Sequence, residues 1–194
     1  PQAEGRSGLL LLAGLVASLA GDVFLMPGAH LFVPGLASFL VAHLFYIALF
    51  VQGVGFFPRR SALVGTLAVG AAMYAFLWTG GLPAGLRVPV GLYVVVIACM
   101  AAQAIGRAAV LGDGASRAVA LGAAFFMLSD SLLAINRFVS PLPLASLWVL
   151  ATYYVAQWLI LRHSTRRAAQ ESGAAAPRTE LDTRPFRSSS MPRP

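Results

Sequence analysis

The chain has 194 residues, of which 58% are apolar and only 11% are charged. A soluble domain carries about 25% charged residues, whereas residues 1–161 contain only eleven charged side chains. So few charges exclude a water-soluble globular protein. The composition instead predicts an all-α, multi-pass transmembrane helix bundle.

The net charge of +7 comes entirely from arginine, because the chain contains no lysine. Half of the fourteen arginines lie in residues 162–194, so the basic charge is not gathered on a folded face of the kind that binds nucleic acid. The single cysteine, Cys99, excludes an intrachain disulfide and a cysteine metal site. We expect neither a metal ion nor a cofactor, and no nucleic-acid partner.

Proline, glycine and arginine divide the apolar sequence into six segments of about 18–23 residues, each long enough to cross a hydrocarbon core of about 30 Å. The predicted helices lie near 8–26, 34–53, 61–79, 86–106, 116–138 and 142–161. Together they form a transmembrane domain over residues 1–161. From residue 162 onward the Ser/Arg/Pro/Ala-rich sequence predicts a disordered tail, which either contacts anionic lipid or has no role.

Arginine placement predicts the orientation of the bundle, since arginine is enriched in cytoplasmic loops. Six crossings place eight arginines on one side and two on the other. The larger group contains Arg6, Arg59, Arg60, Arg107, Arg117, Arg162, Arg166 and Arg167, and the smaller one Arg87 and Arg137. Both ends of the chain, including its tail, are therefore expected in the cytoplasm. The lysine-free, Ala/Arg-rich composition is typical of a GC-rich bacterial genome and thus of an inner-membrane protein.

Two acidic residues, Asp22 and Asp130, lie inside apolar segments. An ionisable group at membrane depth costs about 2.5–3.5 kcal/mol on insertion scales, so each is a functional candidate. The alternative is an acid that only caps a helix or snorkels to the interface. Both fall in the predicted outer half of the bilayer, and the small residues Gly21 and Ser129 before them allow close helix approach. We expect the two carboxyl groups to meet.

A weak internal repeat supports this expectation. Residues 21–25 (GDVFL) align with 129–133 (SDSLL), and in the following helices residues 39–43 (FLVAH) align with 153–157 (YYVAQ). Both helix pairs run in the same direction, which predicts a parallel repeat. Such a repeat would place Asp22 and His43 opposite Asp130 and Gln157.

Other polar side chains share helix faces with these residues and are candidates for supporting the two acids or binding substrate. They are His43, Tyr46, Ser129, Asn136, Tyr153, Tyr154 and Gln157. Each on its own is also explained as an interhelical hydrogen-bond partner. Arg137 ends the fifth predicted helix, where it could bind a lipid phosphate or simply reach the interface.

Four blocks in order together resemble the YhhN-like family of integral membrane proteins, the lysoplasmalogenase family. They are GLVASLAGDVFLM (14–26), GLASFLVAHLFYI (35–47), LSDSLLAINRF (128–138) and TYYVAQWLI (152–160). The resemblance covers about residues 9–163. Members of the family usually have one more helix before the G-D block, so we expect an upstream helix in the full-length protein.

The resemblance implies hydrolysis of the vinyl ether bond of an alkenyl lysoglycerophospholipid, which gives a fatty aldehyde and glycerophosphocholine or glycerophosphoethanolamine. The proposed catalytic aspartates of the family fall on Asp22 and Asp130. Two carboxyl groups suit this chemistry, since one donates a proton and the other, ionised, stabilises a cation and activates water. The sequence leaves open which aspartate is the acid, which lipid is the physiological substrate and what the oligomeric state is.

A second interpretation is a small transporter or proton-coupled carrier, because intramembrane aspartates also relay protons and parallel repeats occur in transporters. A polar pocket that opens to lipid favours the enzyme, whereas a cavity that continues to both faces favours the carrier. A packing or assembly module is disfavoured by two buried acids without a matching buried cation.

Overall fold

A computed structural model describes residues 2–26 and 31–175, with side chains over 5–26 and 31–164. All regular structure in these ranges is helical. The helices are α1 Gln2–Leu25, α2 Phe32–Val51, α3 Arg60–Gly80, α4 Arg87–Leu111, α5 Gly114–Phe138 and α6 Ala145–Ala175, with one 3₁₀ turn at Ala84–Leu86. Helices α1 to α5 each contain a segment long and apolar enough to cross a membrane. The chain is therefore a multi-pass helical membrane protein.

The helix ends have local causes in the sequence. Gly81 and Gly112 end α3 and α4 in the left-handed region, at φ of 119° and 68°, where a glycine carries no steric cost. Asp113 begins α5 by accepting a 2.7 Å hydrogen bond from the Ser116 backbone N–H, a typical N-cap. Pro89 stands in the first turn of α4, where the missing N–H costs nothing.

Five helices form a closed ring and the sixth packs outside it. Helix α1 contacts α2, α2 contacts α4, α4 contacts α5, α5 contacts α6, and α6 returns to α1. Helix α3 lies against α4 and touches α5. The ring interior is filled by large, fully buried side chains that include Tyr46, Phe50, Phe126 and Ile160.

Contacts at the two ends of the bundle show that α2 and α4 run in one direction and α5 in the opposite one. At one end, the Arg107 guanidinium donates to backbone carbonyls of Phe50 and Gln52. At the opposite end, the rings of Phe32 and Phe138 pack edge to face with their centroids 5.4 Å apart. We refer to these as the Arg107 end, the predicted cytoplasmic side, and the Arg137 end, the predicted outer side.

The α1–α2 and α5–α6 pairs make matching contacts at the positions that the internal repeat aligns. A Cβ on Gly14 would lie 2.6 Å from the Tyr46 ring, and one on the aligned Gly122 would lie 3.1 Å from Ile160, which aligns with Tyr46. Farther along, Gly21 lies against Gly35 in the first pair, while Ser129 donates a 2.9 Å hydrogen bond to the Val149 carbonyl in the second. These two contacts again occupy aligned positions, so the repeat extends to helix packing.

The predicted helix limits hold to within a few residues except at the two termini. Helix α1 begins at Gln2 rather than near residue 8. Helix α6 continues to Ala175, so the disorder expected from Arg162 is not found over 162–175. These residues are rich in Ala, Arg, Gln and Glu, which favour helix, and the first proline after them is Pro177. The rest of the predicted tail, 176–194, lies outside the described residues.

Only the apolar first part of α6 matches the sixth predicted crossing, since the helix begins at Ala145 and runs into Arg162. As a membrane crossing, this segment stays a prediction.

Candidate active site

Each intramembrane aspartate accepts a hydrogen bond from a tyrosine on a different helix. The Tyr153 hydroxyl on α6 donates to the Asp22 carboxylate at 2.8 Å. The Tyr93 hydroxyl on α4 donates to the Asp130 carboxylate. The two carboxyl groups lie near enough to interact electrostatically. Two acids that are 108 residues apart in the sequence thus lie near each other in the fold.

The helix contacts that bring the two acids near each other differ from those that the sequence predicted. Helices α1 and α5 do not pack directly against each other along their described residues. Gly21 instead faces the Phe39 ring of α2, and Ser129 bonds to α6, so these small residues bring together the two helices of each repeat. The acids approach each other because both repeats face the same interior.

A chain of hydrogen bonds extends from Asp22 into the ring. The Gln157 amide donates to the Tyr153 hydroxyl at 3.1 Å, and the Tyr46 hydroxyl donates to the Gln157 amide oxygen at 2.8 Å. The buried Ser18 hydroxyl lies beside the Tyr46 phenol. This network fixes Tyr153, and through it the orientation of the Asp22 carboxylate.

His43 belongs to the Asp130 side of the site. Its fully buried ring lies between Tyr93 and Phe126, with centroid distances of 5.4 and 4.8 Å. Neither ring nitrogen has a partner within hydrogen-bond geometry, although the Phe39 backbone, one helical turn earlier, lies close to the ring. His43 therefore packs the tyrosine that holds Asp130 and does not contact either acid through a hydrogen bond.

At the site, each acid has neighbouring side chains from the other repeat. Asp22 of the first repeat is held by Tyr153 and Gln157 of the second. Asp130 of the second repeat has His43 of the first as a neighbour of its tyrosine. The sequence predicted that Asp22 and His43 lie opposite Asp130 and Gln157. In the structure, Gln157 lies on the Asp22 side of the site and His43 lies on the Asp130 side.

Two predicted candidates lie away from the acids. Tyr154 is 62% exposed, because adjacent residues on a helix point about 100° apart and Tyr153 already faces the interior. The Asn136 side chain accepts a 2.9 Å hydrogen bond from the Leu142 backbone N–H, so it holds the α5–α6 connection.

Tyr93 is the residue that sequence reasoning missed. It lies in an apolar helix outside the aligned blocks, and no aromatic or acidic neighbour at helical spacing marks it. The sequence feature that could have identified it is its hydroxyl group at membrane depth, because a buried tyrosine hydroxyl needs a hydrogen-bond partner. Only the packing of α4 against α5 shows that the partner is Asp130.

An apolar cavity of about 70 Å³ opens beside Asp130, between α2, α3, α4 and α5. Its lining includes Leu36, Met73, Val90, Met127 and the ring of Tyr93. Val69, also in the lining, is 61% exposed, so the cavity reaches the lipid-facing surface. A water molecule occupies about 30 Å³, so the cavity holds only the first few carbons of a hydrocarbon chain.

No group of three or more His, Cys, Asp or Glu side chains that could hold a metal ion occurs among the described residues. The polar atoms at the site are carboxylate, phenol and amide groups. This donor set suits the transfer and orientation of protons.

A bundle of apolar helices that carries two half-buried aspartates, one of them beside an apolar cavity, defines a polytopic membrane protein. The sequence model of the YhhN family matches residues 1–164. The chain belongs to this family.

Curated relatives lie in mammals and bacteria. Over 158 residues, 81% of this chain, it is 35% identical to lysoplasmalogenase TMEM86B of Homo sapiens. It is also 35% identical over 154 residues to human lysoplasmalogenase TMEM86A, and 30% identical over 141 residues to a lysoplasmalogenase of Mycobacterium tuberculosis. These matches cover 64%, 62% and 52% of the respective relatives, so the chain spans less than two thirds of their length. No solved structure matches the chain.

Proposed function

We propose that this protein is an intramembrane hydrolase that cleaves the vinyl ether bond of alkenyl lysoglycerophospholipids. The observation that carries the proposal is the pair Asp22 and Asp130, each held by a tyrosine, beside a cavity that opens to lipid. The relatives are named lysoplasmalogenase, which supports the same activity.

The positions of the two acids favour different roles. Vinyl ether hydrolysis begins with proton transfer to an alkene carbon, which belongs to the hydrocarbon chain. Asp130 lines the apolar cavity that would hold this chain, so we assign it as the proton donor. Asp22 joins the polar network of Tyr153 and Gln157, which suits a carboxylate that acts on water. The reaction requires one carboxyl group to carry a proton at the start and the other to be ionised.

The proposed reaction then balances with one water. Asp130 gives its proton to the second carbon of the alkenyl chain, leaving an oxocarbenium cation that the Asp22 carboxylate stabilises. Water adds to the ether carbon and gives a proton to Asp22, forming a hemiacetal. The bond to the glycerol oxygen breaks as Asp22 returns its proton to that oxygen, and the hemiacetal hydroxyl proton goes to Asp130. The products are a fatty aldehyde and a glycerophosphodiester.

The filled interior supports a hydrolase over a carrier. Toward the Arg107 end, the ring is closed by Tyr46, Phe50 and Met100, each 2% exposed or less. A transport path would have to continue through these side chains.

The test is aldehyde release by purified protein in lipid vesicles that contain an alkenyl, acyl or alkyl lysophospholipid. We expect aldehyde from the alkenyl lipid only. Asp22→Asn and Asp130→Asn should each lower turnover by about 10²–10⁴-fold, the usual contribution of general acid–base catalysis. The matched control is Asp113→Asn, since asparagine caps helices as well as aspartate does and Asp113, the N-cap of α5, is not part of the cavity lining. Absence of aldehyde with the unaltered protein, or full activity of Asp130→Asn, would overturn the proposal.

A further inference from the structure

Arg137 lies beside two aromatic rings that line the apolar cavity. Its guanidinium carbon is 4.3 Å from the centroid of the Phe32 ring and 5.9 Å from that of Phe138. Both rings line the cavity, as does Asp130. The exposed Arg137 side chain has only these rings as partners among the described residues, and none of these residues uses its hydrogen-bond donors.

Arg137 and Asp130 share one face of α5. They are seven residues apart, or two turns, which separates their backbones by about 10 Å along the helix axis. The cavity residues Leu133 and Ala134 lie between them. A molecule that lies along this face of α5 with one end at Asp130 can therefore extend to Arg137.

This spacing matches a glycerophospholipid. From the oxygen on the first glycerol carbon to the phosphorus on the third there are five bonds, about 6 Å when extended, since each bond advances a chain by about 1.2 Å. The flexible Arg137 side chain can cover the remaining distance. With the ether oxygen at Asp130, the phosphate then lies within its reach.

The guanidinium is well suited to this ligand. Arginine binds phosphate through two parallel hydrogen bonds, and stacking on aromatic rings orients its plane while leaving the donor edge free. Arg87, at the same end of the bundle, provides a contrast. It stacks on Trp78 at 4.0 Å, and neither residue is part of the cavity lining.

We propose that Arg137, held by Phe32 and Phe138, binds the phosphodiester of a single-chain lipid whose hydrocarbon chain occupies the cavity at Asp130. This inference rests on the proposed function for its choice of lipid and adds a subsite that selects phosphate-bearing substrates. Alkenylglycerols, which lack the phosphate, would be poor ligands.

The test measures binding, so that it does not depend on catalysis. The probes are 1-O-alkyl-glycero-3-phosphoethanolamine, which has no vinyl ether to cleave, 1-O-alkylglycerol, glycerophosphoethanolamine and inorganic phosphate. Affinities are measured for the purified, detergent-solubilised unaltered protein and for Arg137→Gln, Arg137→Lys and Arg87→Gln. Thermal unfolding of each variant verifies that it is folded.

We expect the unaltered protein to bind the alkyl lysophospholipid at least 10-fold more tightly than the alkylglycerol. Arg137→Gln should remove this preference, Arg137→Lys should keep part of it, and Arg87→Gln should retain it. An equal loss of affinity for the alkyl lysophospholipid and the alkylglycerol in Arg137→Gln would overturn the inference. An unchanged preference for the lysophospholipid in this variant would overturn it as well. So would binding of glycerophosphoethanolamine or inorganic phosphate as tight as that of the lysophospholipid, because the cavity would then contribute nothing. Phosphate-dependent binding without aldehyde release from an alkenyl lipid would overturn the proposed hydrolase and leave the subsite standing.

Discussion

At the scale of single residues, the site depends on which side of a helix a hydroxyl group faces. Tyr153 is 6% exposed and Tyr154 is 62% exposed, although they are neighbours in the sequence. Only Tyr153 reaches an acid, at 2.8 Å from the Asp22 carboxylate. The sequence offered both tyrosines as equal candidates, because their distinction depends on how α6 is rotated in the bundle.

We predict that Tyr153→Phe lowers the hydrolase activity and that Tyr154→Phe leaves it unchanged. Loss of a hydrogen bond to a charged group costs about 1.5–3 kcal/mol, so Tyr153→Phe should lower kcat by roughly 10-fold to 100-fold. KM should change little, since Tyr153 is not part of the cavity lining. Vinyl ether hydrolysis by the purified variants is the measurement. Tyr154→Phe should match the unaltered protein, and equal effects of the two changes would contradict this account of the site.

At the scale of helices, close packing within each repeat positions the acids. Gly14 faces Tyr46 and Gly122 faces the Ala156 carbonyl, at 2.6 and 3.0 Å from where a Cβ would lie. In lipid, helices associate through such close contacts between small residues rather than through a hydrophobic driving force. The glycines predict helix contacts from the sequence, but they do not identify the partner helix. Gly21 and Ser129 illustrate this, since both pack within their own repeat.

We predict that Gly14→Ala and Gly122→Ala destabilise the bundle. Adding a methyl group to a filled contact costs typically about 1–3 kcal/mol, and neither the buried Tyr46 nor a backbone carbonyl can easily move. The midpoint of thermal unfolding in detergent should therefore fall for both variants. Gly65→Ala is the matched control, because a Cβ there meets nothing within 4 Å. Alanine is also the better helix former, so a midpoint for Gly14→Ala or Gly122→Ala as high as that of Gly65→Ala would refute the packing argument.

At the scale of the whole molecule, the two ends of the helix bundle differ in their number of arginines. Arg6, Arg59, Arg60, Arg107 and Arg117 lie at the Arg107 end, and Arg87 and Arg137 lie at the other. The predicted orientation, with the Arg107 end in the cytoplasm, follows from this asymmetry. It would place the cavity and Arg137 in the outer half of the membrane.

We predict that cysteine labelling reports this orientation. Cys99 is first replaced by alanine, and Ser140→Cys or Ser61→Cys is then introduced singly, since both serines are exposed and lie at opposite ends. In intact cells, a membrane-impermeant maleimide should label Ser140→Cys directly and Ser61→Cys only after permeabilisation. The reverse pattern would show that the cavity opens in the inner half of the bilayer.

The sequence by itself determined the fold class, the helix segments, the repeat and the two acids. These properties are local: apolar length defines a membrane helix, and a charge within one stands out because lipid makes it costly. The tertiary structure decided that Tyr93 and Tyr153 hold Asp130 and Asp22, that Tyr154 faces outward and that Arg137 stacks on two rings that line the cavity. These facts depend on how each helix is rotated and which helix it packs against, and in an apolar bundle many faces are hydrophobic enough to be buried. Only the fit of side chains across the ring selects among them.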